Sequence, residues 1–237
     1  MRNALAGLLL LLLPACATPV VIAAPPERAT PQSAPVRVAP SVAARNFVEV
    51  VERVMPVARS ACRQKTRGAR CDYAVVVDDR PGLPANAFQT RAPDGRPVVG
   101  FTLPLILEAR NRDELAFILS HEAAHHIAGH IDRGQVSART TATLAGALVA
   151  LGGGDDLAVR QAQDFGAFYG ARRYAKEFEL EADALGAVLA YRAGYDPLVG
   201  IAYFQNAPDP GNRFLGTHPP NAERIATVRR VVAGLGG

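Results

Sequence analysis

The sequence lacks any apolar stretch long enough to cross a membrane as a helix. Its most leucine-rich run, residues 8–13, has the length of a signal-peptide core, whereas a membrane-spanning helix needs about 20 apolar residues. No internal repeat is visible, which excludes an array of stacked repeats. Cysteine is scarce, and the three cysteines are an odd number, so they cannot all pair with one another within the chain.

The N-terminus predicts export. Arg2 precedes the leucine-rich run, and Leu13-Pro14-Ala15-Cys16 resembles a bacterial lipobox, in which the cysteine carries the lipid. We therefore predict a signal peptide at residues 1–15 and an outer-membrane lipid anchor on Cys16, with the protein body in the periplasm; Ala17, rather than an aspartate, follows the cysteine. Ordinary signal-peptidase cleavage near Ala24 is the alternative.

A tether and one folded domain are expected after the signal peptide. Residues 16–40 are rich in proline and alanine and predict an extended, unfolded tether. Residues 41–237 are enough for one domain with its own core. The formal net charge of +4 would suggest nucleic acid in a cytosolic protein, but export removes that partner, so we expect no nucleic-acid binding.

Periodicity in residues 41–237 predicts an α+β fold that is mainly helical, with a small sheet near its N-terminal end. We expect a helix at 43–64, a strand at 73–77, a hairpin at 87–101 and mostly helices thereafter, including a long one from 155 to 194. The apolar segment 143–151 is too short to cross a membrane and predicts either a mobile flap or, preferably, a buried turn.

Cys62 and Cys71 remain once Cys16 is lipidated, and they lie nine residues apart. In an oxidising compartment such a pair can close a short loop between the first helix and the first strand. Two free buried thiols are the alternative, because spacing alone does not prove pairing.

The chain's most informative motif is His121-Glu122-Ala123-Ala124-His125. Residues four apart share one face of a helix, so both imidazoles can reach one zinc ion. Glu122 lies to one side of that face and can take a proton from the water that the metal activates. Asn111 as N-cap and the apolar residues that follow predict the helix that the motif requires. A buried helix with a chance match is the alternative.

Two histidines are too few ligands for a catalytic zinc, which usually has three from the protein. One extended form of the motif places a third histidine six residues after the second, but that position is Ile131. Further along, residues 176–186 are an acidic run within an apolar-periodic helix, in which Glu179 and Asp183 share a face. One carboxylate could ligate the metal while the other fixes a histidine ring from behind; a solvated acidic face is the alternative.

These motifs together resemble a known family. The order of HExxH, then Glu-Leu-Glu-Ala-Asp-Ala-Leu-Gly, then Thr217-His218-Pro219-Pro220 is similar to the HtpX and CAAX-prenyl-protease family of gluzincin zinc metallopeptidases, over residue 41 to the C-terminus. The resemblance implies a zincin-like fold, one zinc held by His121, His125 and Glu179, and Glu122 as general base. It also implies a periplasmic lipoprotein branch that degrades unfolded or misfolded envelope proteins.

His218 has three possible roles. The resemblance implies that it lies near the metal, where it either stabilises the oxyanion of the reaction or occupies the fourth metal position and silences the enzyme. It could also be a helix-entry residue with no chemical duty. If it silences the enzyme, the protein could be a zinc-dependent client-binding or chaperone-like module. His126 and His130 are turned away from the face of His121 and His125, which favours surface or packing roles.

Overall fold

The computed structural model describes residues 38–235, so the predicted signal peptide, Cys16 and nearly all of the tether lie outside the described residues. Described in chain order, the elements are α1 (Pro40–Lys65), β1 (Ala74–Asp78), β2 (Ala87–Arg91), β3 (Pro97–Thr102), α2 (Leu103–Glu108), α3 (Arg112–Ile127), α4 (His130–Leu151), α5 (Asp156–Arg172), α6 (Ala175–Arg192), α7 (Pro197–Gly200), α8 (Tyr203–Asn206) and α9 (Asn221–Leu235). The fold is therefore α+β and mainly helical, as the sequence predicted.

The first helix forms because its apolar residues recur at helical spacing and Pro40 starts it with a preset backbone angle. Its buried face includes Phe47, Val50 and Val54. Near its C-terminal end, Cys62 forms a disulfide with Cys71, with 5.7 Å between the two Cα atoms. The bond ties the end of α1 to the segment that enters β1.

The sheet has three strands in the order β1-β3-β2. Strand β3 is central and pairs in parallel with β1 and antiparallel with β2, so Val99 lies opposite Val75 on one side and Gln89 on the other. The antiparallel pair is the predicted hairpin. Val99 and Phe101 of β3 are fully buried, whereas β2 has a hydrogen-bonding partner on one side only within the described chain.

Helix α3 lies at the centre of the domain. It contacts α1, the sheet, α6 and α7, and most of its residues are buried. Asn111 caps its start, since the Asn111 side-chain oxygen accepts a hydrogen bond of 2.9 Å from the backbone N–H of Glu114. The predicted cap is therefore present, and the helix that carries the HExxH motif is enclosed by the core.

The prediction for residues 143–151 was wrong, because this segment is the second half of α4 and is neither a buried turn nor a flap. Helices α4 and α5 form an antiparallel hairpin in which glycines allow a close approach; a Cβ at Gly166 would lie 2.5 Å from the carbonyl oxygen of Thr141. Backbones this close leave no space for large side chains between them. Leu144, Leu148 and Leu151 are consequently 58%, 71% and 86% exposed.

The predicted long helix from 155 to 194 is two helices, α5 and α6, separated at Arg173 and Tyr174. No glycine or proline marks the break, so periodicity alone could not find it. The two helices have different partners, since α5 packs against α4 and α6 packs against α3 and α9. None of the helices within residues 38–235 combines the length and the apolar character needed to cross a membrane.

Candidate metal centre

Helices α3 and α6 cross at a glycine, and this crossing assembles the site. A Cβ built on Gly186 of α6 would lie 3.0 Å from both the backbone nitrogen and the Cα of His121 on α3. Real Cβ atoms rarely make such close contacts, so the crossing distance depends on the missing side chain. Glu179 and Asp183 lie on the preceding turns of α6 and therefore approach the His121 ring.

His121, His125 and Glu179 converge as the sequence predicted. One ligand atom from each lies within 4.8 Å of the others. The two histidine Nε2 atoms are 3.0 Å apart, Nε2 of His121 is 3.6 Å from Oε2 of Glu179, and Nε2 of His125 is 3.3 Å from Oε1 of Glu179. Neither Glu177 nor Glu181 belongs to this group.

The three separations suit a tetrahedral zinc ion. Ligands at the usual zinc distances of about 2.0–2.1 Å, arranged tetrahedrally, are about 3.3–3.4 Å from one another. The two nitrogens are 3.0 Å apart, and the contacts of 3.3 and 3.6 Å join them to different oxygens of Glu179, so the observed separations span that value. Two imidazoles and one carboxylate leave a fourth position open, which is the donor set of many catalytic zinc sites.

The charged side chains of this group shift one another's pKa values. Burial lowers the pKa of the His121 imidazole, but hydrogen bonds and charge from Asp183 and Glu179 outweigh this effect and raise the pKa to about 10. Burial raises the pKa of Glu179, yet its contacts with His121, His125 and His218 hold that pKa well below its usual range. Glu179 is therefore an anionic carboxylate, as a metal ligand must be.

Asp183 contacts the His121 ring on the side away from His125 and Glu179. Its Oδ1 lies 2.9 Å from Nδ1 of His121, and its side chain is fully buried. This contact favours a proton on Nδ1 and leaves the Nε2 lone pair for a metal. Arg224 of α9 completes the arrangement, since it donates two hydrogen bonds to the same carboxylate. The sequence predicted the position of Asp183 but assigned no role to Arg224.

His125 also has a partner behind it. Its Nδ1 lies 2.8 Å from Nδ1 of His130, whose side chain is 5% exposed. Burial lowers the pKa of His130 to about 4. The sequence-based view of His130 as a surface or packing residue missed this contact, whereas His126 does have a packing position: it contacts the carbonyl oxygen of Arg70 at 2.7 Å and the ring of Tyr73.

Glu122 follows His121 on α3 and is partly accessible. Burial raises the pKa of its carboxyl group, while the charges of His121 and His125 act in the opposite direction. A carboxylate whose pKa is raised accepts a proton more readily than an ordinary one and can later return it.

His218 approaches the site from the loop before α9, but outside the three-residue metal group. Its Nδ1 lies 3.2 Å from Oε2 of Glu179, and its side chain is 55% exposed. It lines an open cavity of about 210 Å³. The other residues that line this cavity are His125, His130, Gly134, Ala171, Ala175, Phe178, Glu179 and Thr217. Two of the three grouped residues, His125 and Glu179, are therefore reached from this cavity.

Comparison with known protein families identifies the family of this chain. The family model described as peptidase family M48 matches residues 44–232, which include every residue of the ligand group and both residues that contact the histidines from behind. No curated protein matches the chain significantly.

Proposed function

This chain belongs to peptidase family M48, and on that premise we propose that it is a zinc-dependent endopeptidase of the bacterial cell envelope that degrades misfolded periplasmic or outer-membrane proteins. Metallopeptidases of this family use zinc. The observation that carries the proposal is the convergence of His121, His125 and Glu179 at separations that suit one tetrahedral zinc ion.

In this proposal His121 and His125 present their Nε2 atoms to the metal and Glu179 presents a carboxylate oxygen. Zinc, when bound, supplies Lewis acidity that polarises the peptide carbonyl and lowers the pKa of water. Glu122 takes the proton from the attacking water and later delivers it to the leaving amine. Its raised pKa, which follows from burial, suits a group that must both gain and lose a proton.

His218 has a supporting role in the proposed reaction. Its contact with Glu179 Oε2 holds an imidazole at the edge of the ligand group, from which it can reach the oxygen of a carbonyl under attack. Because His218 is half exposed and lies on a loop, it could also move onto the fourth metal position. The second role would make the protein a self-blocked module that holds clients without cutting them.

An extended substrate fits the sheet beside the site. Strand β2 is at the edge of the sheet and contacts α3, so the side of β2 that has no partner strand among residues 38–235 can add a peptide strand through main-chain hydrogen bonds. Such bonds do not depend on the peptide's sequence. This supports unfolded protein segments as substrates rather than one particular folded partner.

The envelope assignment rests on the sequence and on one bond. The lipobox-like Leu13-Pro14-Ala15-Cys16 supports export and lipidation, and the Cys62–Cys71 disulfide supports an oxidising compartment such as the periplasm. The Thr217-His218-Pro219-Pro220 segment supports placement in the branch of the family that contains HtpX and the CAAX prenyl proteases.

The decisive experiment incubates the zinc-loaded protein with an unfolded protein and compares it with the Glu122→Gln variant. We expect cleavage by the wild type alone and equal zinc content in both, because glutamine matches the shape of Glu122 but cannot take a proton. Absence of cleavage by the wild type with zinc bound would instead support the client-binding module. In that case a His218→Ala variant that gains cleavage would identify self-blocking.

A further inference from the structure

His130 contacts His125 at the nitrogen that the metal does not use. In the proposed site, Nε2 of His125 faces Glu179 at 3.3 Å, so Nδ1 on the other side of the ring is available for a second partner. Nδ1 of His130 occupies that side at 2.8 Å, and the two rings meet edge to face with 4.9 Å between centroids. The separation is that of a good hydrogen bond.

A break between helices brings His130 to this place. Gly129 adopts the left-handed conformation, with φ 68° and ψ 32°, which ends the course of α3 and turns the chain. His130 is the first residue of α4, so it does not follow the angular step of 100° per residue that would turn it away from His125 on a continuous helix. A residue with a Cβ at position 129 would be strained in that conformation.

The His130 ring is held on its remaining sides. It stacks on Phe178 of α6 with 4.5 Å between centroids and 10° between planes, and its Nε2 lies 3.1 Å from Oε2 of Glu181. Arg133 fixes both neighbours, since it donates a hydrogen bond of 2.7 Å to Glu181 and lies 4.5 Å above the Phe178 ring. The ring therefore has one orientation, with Nδ1 directed at His125.

We propose that His130 is the positioning residue of His125, and that it fixes the tautomer and the ring angle with which His125 meets zinc. His125 Nδ1–H donates to Nδ1 of His130, and His130 Nε2–H donates to Glu181. All hydrogen bonds then run in one direction and leave the Nε2 lone pair of His125 for the metal. Asp183 fixes the tautomer of His121 in the same way, by direct contact with its Nδ1. The inference rests on the proposed function only in taking His125 as a zinc ligand.

Zinc affinity, measured by competition with a chromogenic chelator on the purified full chain, tests this role. His130→Leu removes the acceptor at similar size, and we expect about a 10- to 100-fold loss of affinity. His130→Asn offers an amide oxygen close to the place of Nδ1, and we expect it to restore most of the loss. Equal losses in the two variants would assign the effect to packing against Phe178 and overturn the proposal, as would unchanged affinity in His130→Leu.

Glu181→Ala provides an independent arm in case the buried substitutions impair folding. Glu181 is 47% exposed, so its removal should leave the fold intact while lowering zinc affinity through His130. Glu177→Ala, on an exposed position one turn earlier in α6, is the matched control and should bind zinc as the wild type does. Glu181→Ala with wild-type affinity would overturn the proposal.

A His125→Ala variant separates this proposal from the proposed function. If it loses zinc while the His130 and Glu181 variants retain it, His125 is a ligand and only the positioning role fails. If His125→Ala itself retains wild-type zinc affinity, the ligand assignment fails, and with it the proposed function and the role of His130.

Discussion

Arg224 and Asp183 form a bidentate ion pair inside the protein. Nε of Arg224 donates to Oδ2 at 2.8 Å and Nη2 donates to Oδ1 at 2.7 Å, with side-chain exposures of 5% for Arg224 and 0% for Asp183. Asp183 also contacts His121, so one carboxylate joins α9 to a proposed metal ligand on α3. The C-terminal helix thereby contributes to the site without supplying a ligand.

Replacing Arg224 with methionine should destabilise the fold strongly. The substitution leaves the Asp183 charge buried without its partner, and breaking a buried pair in this way costs about 3–5 kcal/mol. We expect a loss of that order in the free energy of unfolding, measured by urea denaturation. Arg229→Met on the exposed face of α9 is the control and should change stability by less than about 0.5 kcal/mol. An Arg224→Met protein as stable as the wild type would contradict a structural role for the pair.

Gly186→Ala should loosen the crossing of α3 and α6. The added methyl group meets the His121 backbone at 3.0 Å, and overpacking of this kind costs about 1–3 kcal/mol, more than the helix propensity that alanine returns. Gly134→Ala in α4 has no atom within 4 Å of its added methyl group and should raise stability by about 0.5–1 kcal/mol. Thermal unfolding of the two variants without zinc measures whether each substitution lowers or raises stability. A stabilised Gly186→Ala would contradict the close crossing.

Local rules explain what the sequence predicted correctly. The four-residue spacing of His121 and His125, the same spacing of Glu179 and Asp183, and the Asn111 cap all depend on helix geometry alone. Each of these arrangements is present in the structure. The alternation that predicted the hairpin also depends on neighbouring residues, and β2 and β3 pair as expected.

The features that sequence analysis missed depend on contacts between distant segments. His130 reaches His125 because Gly129 turns the chain, whereas the sequence analysis placed His130 by the 100° step per residue of a continuous helix. The leucines of α4 are exposed because α5 presents glycines to the other side. Arg224 is buried in α9 because α6 brings the Asp183 carboxylate to it, a contact that the sequence of α9 does not reveal.

The disulfide should make a moderate contribution to stability. Cross-linking Cys62 to Cys71 closes a loop with a sequence separation of nine, and the loop-entropy relation gives about 2.5 kcal/mol for a loop of this length. The double variant Cys62→Ser/Cys71→Ser should lose about that amount in urea denaturation. Adding a reductant should lower the stability of the wild type and leave the double variant unchanged, so an equal response of both proteins would contradict the assignment.

The response to zinc removal should depend on Glu179 and not on Glu177. A ligand that binds only the folded state stabilises it by about 2.7 kcal/mol at a concentration 100 times its Kd, so added zinc should raise the Tm of the chelator-treated wild type and restore cleavage. Glu179→Gln removes the negative charge that lies 3.3 Å from His125 Nε2, and we expect it to abolish both responses.

Glu177→Gln is the matched control for that substitution, because Glu177 is exposed on the same helix and lies outside the group formed by His121, His125 and Glu179. It should keep the zinc-dependent rise in Tm and the cleavage. If Glu179→Gln kept the full rise in Tm while Glu177→Gln lost it, the third ligand would be Glu177, and α6 would have to be rotated by about half a turn from its observed orientation, since residues two apart on a helix differ by about 200°. The Asp183 carboxylate would then leave His121, so the same experiment also tests the arrangement behind the ligand.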